Sequence, residues 1–584
     1  MNVSRLAVLC VFLLLSMAAV SAKAQSVDFS WDQATIYHLI TDRFSNGDLQ
    51  NDSSYGRGLD GLGNAYDVDS TGHFLGGDFL GLTGWIEDGY FNDLGINALL
   101  ISTPIEQVHG WIGGGFGEFQ RYAYDGQWPL DYTLPDLALG DEKEFEMMMA
   151  AAHAKGLRVV VEVNLNSVGF ATLNDMAAFG FGGITTDEWR TWRPASKSGW
   201  QSYNDRMVTI TDSTESWSKW WGPEWILADL PGYEACGADE WSKCLNMQPD
   251  LRDDVEVTGL PDFLKLKWGE EKIRSQTAMI DAFFSRTGYT KTAVNHVILW
   301  LSEWVRLYGI DGFVLNNPEN VSPNAILRLK EQGSKALKEW KSVHSELSLD
   351  DSDFWLSGDV LNHDLQKSEY FQMGFDAVYN YAFLKDLDGG VDAQFSTYSE
   401  SINKDGSFNV LSFFSSGKTG LFDRPSAAGA QKLKDAATQL ILSPGAVVVY
   451  YGDESRRQLG EAGVDEMERT KSKMNWTSFD EDLFQHWKKI ASFRATHPAI
   501  AEGGHDNLSD DPYTFYRGVR RGLGTDEVVV VVGASGKTRV NVSIVWPDDT
   551  VLRDAYTGNV SIVSFGQATF PADASGLILI EEVK

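Results

Sequence analysis

The sequence has few cysteines, few basic residues and almost no long apolar run. Its 584 residues include 3 Cys, and 49 Lys and Arg stand against 82 Asp and Glu, which gives a formal net charge of -33. So acidic a surface repels nucleic acid and anionic membranes, and we exclude both as partners. A neutral ligand is indifferent to this charge, which otherwise serves solubility.

The long apolar run of the sequence, residues 6–20, lies at the N-terminus. It follows the basic Arg5 and precedes Ala22-Lys23-Ala24, the pattern of a signal peptide cleaved before Gln25. The run is too short to cross a bilayer, and no second one follows, so no membrane span is predicted. We expect an exported protein, periplasmic or secreted, with a charge of -35 once residues 1–24, which carry Arg5, Lys23 and no acid, are removed.

The scarcity of cysteine bears on redox and metal chemistry. Cys10 lies in the signal peptide, which leaves Cys236 and Cys244, eight residues apart in a loop-like stretch. In an oxidising compartment such a pair is expected to form a local disulfide. A metal site with only two ligands in view is disfavoured.

The length predicts two or three domains, and the hydrophobic pattern predicts their order. Strand-like runs alternate with helix-like segments and resume after an irregular stretch, which predicts a (β/α)8 TIM barrel with an inserted domain. Short strands between turns near the C-terminus predict an antiparallel β-sandwich. The predicted segments are a signal peptide 1–24, barrel strands 1–3 in 25–165, an inserted domain 166–285, barrel strands 4–8 in 286–498 and the β-sandwich in 499–584.

Several motifs then point to a family. They are Ile36-Tyr37, Asp42-Arg43-Phe44-Ser45-Asn46-Gly47-Asp48, Gly76-Gly77-Asp78, Trp128-Pro129-Leu130-Asp131-Tyr132, Gly309-Ile310-Asp311-Gly312-Phe313 and Tyr450-Tyr451-Gly452-Asp453-Glu454. Together they resemble the α-amylase family, glycoside hydrolase family 13, along almost the whole mature length. Trp220-Trp221-Gly222-Pro223-Glu224-Trp225 resembles its exported bacterial branch. The resemblance implies an α-glucan or maltooligosaccharide as ligand.

The first loop after strand 1 is rich in oxygen ligands. Hard oxygen donors at this spacing suit Ca²⁺, although Asn, Asp and Gly are also the ordinary residues of polar turns. In similar family members the matching positions hold structural calcium. The predicted ligands are Asn46, Asp48, Asn51, Asp52, Gly76 and Asp78. The resemblance also implies glucan-binding positions at Trp128, Asn166, Asn317 and Asn320.

The catalytic positions of the family carry other residues here. A retaining glycosidase needs two carboxyl groups beside the scissile bond, and this family uses a third. In Gly312-Phe313-Val314-Leu315-Asn316, Val314 replaces the family's arginine and Asn316 replaces the nucleophilic aspartate. Asp359 in Gly358-Asp359-Val360 keeps a carboxyl group at the general acid, shortened by one methylene. Lys418 in Gly417-Lys418 replaces the third carboxylate.

Two further motifs also differ from the family pattern, and the differences allow three interpretations of the function. Glu162-Val163-Asn164-Leu165-Asn166-Ser167 replaces the Asp-x-x-x-Asn-His pattern, and Asp125 replaces the histidine that stacks on the reacting sugar.

The favoured interpretation is a catalytically degenerate relative that binds glucan. The second is a hydrolase that pairs Asp359 with a relocated acid, for which the candidates are Glu162, Glu303, Glu319 and Asp364. The third is an ordinary active amylase whose motifs align differently.

Overall fold

The computed structural model describes most of the chain. The described residues are 29–59, 63–64, 72–112, 121–180, 183–193, 199, 201–203, 205–206, 220–230, 232–245, 248–387, 390–404, 406–423, 429–461, 466–522 and 524–583. The predicted signal peptide lies outside these ranges. Within them, no helix has the length and apolar character needed to cross a membrane.

Eight parallel strands close into a barrel. They are β1 Thr35–Leu39, β2 Ala98–Ile101, β3 Arg158–Val163, β4 Gly312–Asn316, β5 Trp355–Asp359, β6 Ala377–Asn380, β7 Asn409–Ser412 and β8 Ala446–Tyr450. Each strand pairs with the next, and β8 pairs with β1 to complete the ring. The predicted (β/α)8 barrel is confirmed, and the predicted spans differ from these bounds by a few residues at the strand ends.

The barrel strands have apolar residues on both faces. Residues that point inward, among them Ile36, Leu100, Val160 and Val314, form one buried cluster inside the barrel. The alternate residues pack outward against the helices and join a second, larger cluster. Because both faces are covered, the strands are rich in apolar residues and lack a regular alternation of apolar and polar residues.

Helices surround the barrel and extend into the segments that follow its strands. Their bounds are Thr41–Phe44, Phe79–Glu87, Tyr90–Asp93, Glu142–Ala154, Leu173–Phe179, Thr186–Trp192, Asp262–Lys267, Glu270–Thr287, Ala293–Tyr308, Pro323–Val343, Phe383–Asp386, Val391–Tyr398, Gly429–Ile441, Glu466–Arg469, Glu481–Thr496 and Ala499–Glu502. The helix Glu270–Thr287 includes residue 285, the predicted end of the inserted domain, and so crosses that boundary.

Two small hairpins lie outside the barrel sheet. Ile105–Gln107 pairs with Pro129–Pro135 after β2, so the motif that begins at Trp128 leads into a strand that the hydrophobic pattern does not indicate. Ile226–Leu227 pairs with Asp250–Leu251 in the inserted segment. The second hairpin carries part of the inserted segment back to the end of β3, because Leu251 N donates to Asn166 O at 2.7 Å.

The C-terminal domain is antiparallel, as predicted. A six-stranded sheet has the order Gly504–Asp510, Tyr513–Arg521, Gly524–Val532, Leu577–Glu582, Val551–Asp554 and Val560–Ile562, and Lys537–Asn541 pairs with Gln567–Pro571 in a second sheet. Val531, Val540, Phe570 and Ile578 belong to one buried cluster that joins the two sheets. The domain follows the helix Glu481–Thr496, whose Arg494 donates to the carbonyl of Ser443 at 2.8 Å.

Candidate functional site at the barrel mouth

The carboxyl ends of β1–β8 form the barrel mouth, where folds of this type place their chemistry. Asn316 ends β4 and Asp359 ends β5, and these two residues are register partners in the parallel pair. Both are buried, at 2% and 7% exposure. The structure therefore brings the predicted nucleophile and general-acid positions side by side, with a neutral amide at the first and a carboxyl group at the second.

The carboxyl group of Asp359 has two close partners. Lys418 Nζ lies 2.5 Å from its Oδ2, and the hydroxyl of Tyr381 donates to its Oδ1 at 2.5 Å. Burial raises the pKa of Tyr381, and the charge of Asp359 raises it further, so this hydroxyl stays protonated and keeps donating. All three predicted catalytic positions thus meet, but Asp359 and Lys418 neutralise each other.

The four relocated acids that the sequence offers occupy different places. Glu162 lies on β3 opposite Val314 of β4, and its Oε1 is 3.3 Å from His38 Nε2 on β1. Burial raises the pKa of Glu319, the charge of Lys418 opposes that rise and the charge of Asp359 adds to it. Glu303 pairs with Arg306 on the helix before β4 and so lies toward the opposite end of the barrel. Of the four, Glu319 interacts with the charge of Asp359 and Glu162 lies on a barrel strand next to β4, and within the described ranges Asp364 forms no hydrogen bond or ion pair with Asp359.

A buried ion cluster lies where the family's stacking histidine would be. Asp125 is 2.5 Å from Arg121 Nη2 and 2.7 Å from Lys471 Nζ. Burial would raise the pKa of Asp125, but Arg121 and Lys471 outweigh it and hold the pKa below its ordinary value. A Cβ added at Gly417 would lie 3.6 Å from Lys471 Cε. Lys471 therefore lies near both Asp125 and Gly417, the residue before Lys418.

The predicted glucan-binding positions are not equally accessible. Trp128 is 5% exposed, and its ring packs edge-on against Phe170 with 4.9 Å between centroids, so it offers no open face. Asn317 has a left-handed backbone (φ 47°) directly after β4. Asn320 Nδ2 donates to the carbonyl of Glu240 at 2.8 Å and so ties the inserted segment to the mouth.

Asn166 differs from these in having an unpartnered amide. Neither its Oδ1 nor its Nδ2 has a hydrogen-bond partner, although the residue is 2% exposed. The neighbouring strand carries Asp250, whose pKa is raised to about 9 by burial and by the charges of Asp239 and Asp254. An unpartnered amide oxygen and a buried carboxyl group are both ligand types that suit a hard cation.

The predicted calcium loop is folded around Asp78. Its carboxylate accepts from Asp48 N at 2.7 Å and from Gly81 N at 2.7 Å, and Asn46 Nδ2 donates to Asp52 Oδ1 at 2.8 Å. The side-chain oxygens of Asn46 and Asn51 are buried without a donor. A Cβ at Gly76 would lie 2.5 Å from Asp52 Oδ1, so the backbone of Gly76 closes the cluster. In the described part of the chain, no group of three or more His, Cys, Asp or Glu is placed to hold a metal, so a cation here depends on amide and carbonyl oxygens.

A cavity of about 510 Å³ lies away from these residues, beside the hairpin that follows β2. Glu106, His109 and Lys267 line its polar wall. Glu106 Oε1 is 2.9 Å from His109 Nε2, and its Oε2 is 2.6 Å from Lys267 Nζ. Glu106 thus pairs with both His109 and Lys267. None of the three predicted catalytic positions lines the cavity.

Comparison with known proteins identifies the family. Over 525 residues the chain is 39% identical to the periplasmic alpha-amylase of Escherichia coli strain K12, a match that covers 87% of this chain and 73% of that protein. The chain belongs to the α-amylase family. No protein-family model matches this member of the family.

Solved structures show the same fold for this family member. An alpha-amylase from Anoxybacillus is 17% identical with a TM-score of 0.59, and the match covers 95% of this chain and 99% of that one. The alpha-amylase of Geobacillus thermoleovorans, solved in complex with acarbose, is 17% identical with a TM-score of 0.58 and coverages of 95% and 100%. At this identity the likeness concerns the fold alone.

Several residues that shape the site of this α-amylase family member are absent from the sequence analysis. Tyr381 directly follows β6, and nothing in the sequence around it indicates that its hydroxyl contacts Asp359. Lys471 and Glu468, 3.3 Å apart, come from the segment after β8, outside every motif. Asp250 lies in the irregular inserted segment. Only a folded chain shows that these groups meet the barrel mouth.

Proposed function

We propose that this protein binds α-glucan at the barrel mouth and does not cleave it. The observation that carries the proposal is the state of Asp359, whose two oxygens are taken by Lys418 and Tyr381. Cleavage with retention requires one carboxylate that attacks and a second carboxyl group that gives its proton to the leaving oxygen. Asn316 cannot attack as a carboxylate, and Asp359 has no free oxygen with which to protonate a leaving group.

The ligand class follows from family membership and from the charge of the protein. A neutral glucan is not repelled by a net charge of -33, whereas phosphates and nucleic acids are. The Geobacillus neighbour was solved with acarbose, a sugar-like ligand, which supports a saccharide as the ligand class here. The relative from E. coli is named as periplasmic, which supports export of this chain too.

A second candidate function is hydrolysis by Asp359 together with a relocated acid. The observation that favours it is the placement of Glu162 on β3, one strand from Asn316 and two from Asp359, with His38 at 3.3 Å. Here Lys418 would have to leave Asp359 when substrate binds. The two functions make opposite predictions for sugar release.

We expect binding without turnover when the purified protein meets maltooligosaccharides or starch. Titration calorimetry should show binding heats for maltoheptaose, while reducing ends stay at the level of a protein-free blank, because each missing catalytic group costs orders of magnitude in rate. Reducing ends are counted over hours at several pH values.

Asp359→Ala is the control for this assay. Sugar release that this substitution abolishes would establish the hydrolase and refute the proposal. Release that survives it and co-purifies with the protein would indicate an ordinary amylase whose motifs align differently, and would also refute the proposal. If the wild-type protein shows neither binding heat nor sugar release, the proposal is also refuted, and binding of a protein partner is the remaining role.

We also propose that the loop of residues 46–52 and 76–78 holds a structural Ca²⁺. The unpartnered oxygens of Asn46 and Asn51 and the close backbone of Gly76 support it. The ion would link the loop after β1 to the start of the next helix, where Asp78 already caps Gly81 N. It would serve stability rather than chemistry.

Removal of calcium is therefore expected to lower the melting temperature. A site occupied at one hundred times its Kd contributes about 2.7 kcal/mol to the free energy of unfolding. EDTA should remove that contribution, added Ca²⁺ should restore it, and Asn51→Ala should make the melting temperature much less sensitive to both. Asn507→Ala, on the C-terminal domain, serves as the control. Equal calcium responses in wild type and Asn51→Ala would contradict a site in this loop.

A further inference from the structure

Trp241 is an exposed indole next to the barrel mouth. The sequence has 20 tryptophans, and among those in the described ranges Trp241 is the only exposed one, at 55%. Tryptophan side chains are usually well buried because they carry a large apolar area. A solvent-exposed indole at this place is therefore a candidate contact for a ligand.

The loop that carries Trp241 is held in one shape. A disulfide joins Cys236 to Cys244 around it. Gly237 N donates to Ser242 O at 2.8 Å across the loop. The carboxylate of Asp239 accepts from Trp241 N at 2.9 Å and from Ser242 Oγ at 2.7 Å. A ring on so constrained a backbone loses little conformational freedom when a ligand binds.

This loop is fastened to the mouth itself. The carbonyl of Glu240, next to Trp241, accepts from Asn320 Nδ2 at 2.8 Å. Asn320 is four residues past Asn316, the last residue of β4. Lys243 of the loop and Lys418 both oppose the rise that burial causes in the pKa of Glu319, so their charges reach the same carboxyl group. The exposed indole therefore stands on the rim of the mouth.

We propose that Trp241 is the stacking surface on which this protein holds a glucose unit of an α-glucan at the barrel mouth. The inference rests on the proposed function and adds the residue that carries the affinity. The axial C–H groups of a pyranose make one face of the sugar apolar, and that face buries itself against an indole. Trp128 cannot take this role because its ring is buried at 5% exposure, whereas Trp241 is 55% exposed.

The disulfide gives the proposal a second consequence. With Cys236 and Cys244 reduced, the loop would keep its sequence but lose the bond that holds the indole in place. Binding should then weaken even though Trp241 is present. The effects of losing the ring and losing the disulfide should overlap, because both act through the same contact.

The test is calorimetric titration of maltoheptaose into the wild-type protein and four variants. We expect Trp241→Ala to weaken binding ten-fold or more, which is the loss typical of a central aromatic contact. Cys236→Ser with Cys244→Ser should weaken it several-fold, and adding Trp241→Ala to that pair should weaken it much less than ten-fold further. Phe565→Ala, which removes an aromatic side chain that is 95% exposed on the C-terminal domain, should bind as wild type does.

Three outcomes would overturn the inference. Wild-type affinity in Trp241→Ala refutes it while the proposed function stands. An equal loss in Phe565→Ala shows that the glucan meets exposed rings without selection. No binding heat in the wild type refutes the proposed function and this inference together. Circular dichroism and melting curves confirm that each variant is folded, and acrylamide quenching should show that maltoheptaose protects one exposed tryptophan in the wild type and none in Trp241→Ala.

Discussion

Asp250→Asn should raise the free energy of unfolding at pH 7 by about 4 kcal/mol in calcium-free buffer. The pKa of Asp250 is raised from 3.8 to about 9, chiefly by burial, so the folded protein must keep this carboxyl group protonated. Each pH unit between the unfolded and folded pKa values costs about 1.4 kcal/mol. Asparagine has the shape of the protonated acid and does not ionise, so the variant avoids this cost.

The pH dependence follows from the direction of the shift. Because the folded pKa lies above the unfolded one, the stability contributed by the proton is present below pH 4 and is lost as the pH rises toward 9. Wild type and Asp250→Asn should therefore be similar at pH 4 and diverge steadily up to pH 9. Denaturant unfolding in EDTA at four pH values measures the difference, and Asp351→Asn, an exposed acid, is the control.

A bound cation would reverse the sign of the change that Asp250→Asn causes in the free energy of unfolding. If Ca²⁺ joins the carboxylate of Asp250 to the unpartnered oxygen of Asn166, the ionised acid becomes the favourable form. Asp250→Asn would then destabilise the protein in calcium and abolish one binding event in a calcium titration. A destabilised variant in EDTA would contradict the argument from burial.

Val314→Arg with Asn316→Asp should leave the protein inactive, with kcat/KM at least about 10⁴-fold below that of the E. coli relative measured alongside. The pair places an arginine and an aspartate at the predicted arginine and nucleophile positions, but Asp359 still lies between Lys418 and Tyr381, and the predicted position of the third carboxylate still holds a lysine. Release of reducing ends from maltoheptaose is the measurement. Substantial recovery would show that these two positions alone decide the loss of chemistry.

Folding of the variant needs its own control. Val314 is 1% exposed and packs inside the barrel with Val160 and Leu100, so an arginine there buries a charge whose nearest opposite partner is Glu162 across the strand pair. Asn316→Asp alone changes shape very little and keeps the test valid if the double variant unfolds. That single variant should also release no sugar.

The sequence predicts the barrel well because its strands are buried on both faces. The run of valines at 159–161 and the motif before Asn316 each indicate one strand without reference to any other. The hairpin Pro129–Pro135 gives no such signal, since polar residues such as Asp131 interrupt its apolar pattern. Local pattern thus predicts elements that are apolar throughout.

The chemistry of the mouth depends on contacts between distant residues. The sequence shows that Asp359 keeps a carboxyl group and that Lys418 is a base, but their pairing at 2.5 Å requires the register of β5 and the turn after β7. Ser167, next to Asn166, pairs with Asp250 only because the inserted segment returns to the end of β3. The motifs predict which groups are missing, while the folded barrel shows which groups replace them.

The closure of the barrel also bears on how the chain folds. Thr35 of β1 pairs with Val447 of β8, so the ring is sealed by residues about 410 positions apart. Contacts of such separation form slowly, because a long loop must close before they add any stability. An N-terminal fragment that stops before β8 leaves β1 with an open edge and cannot complete the barrel. The closed barrel therefore forms only after residues 446–450, about three quarters of the way along the 584-residue chain, have been made.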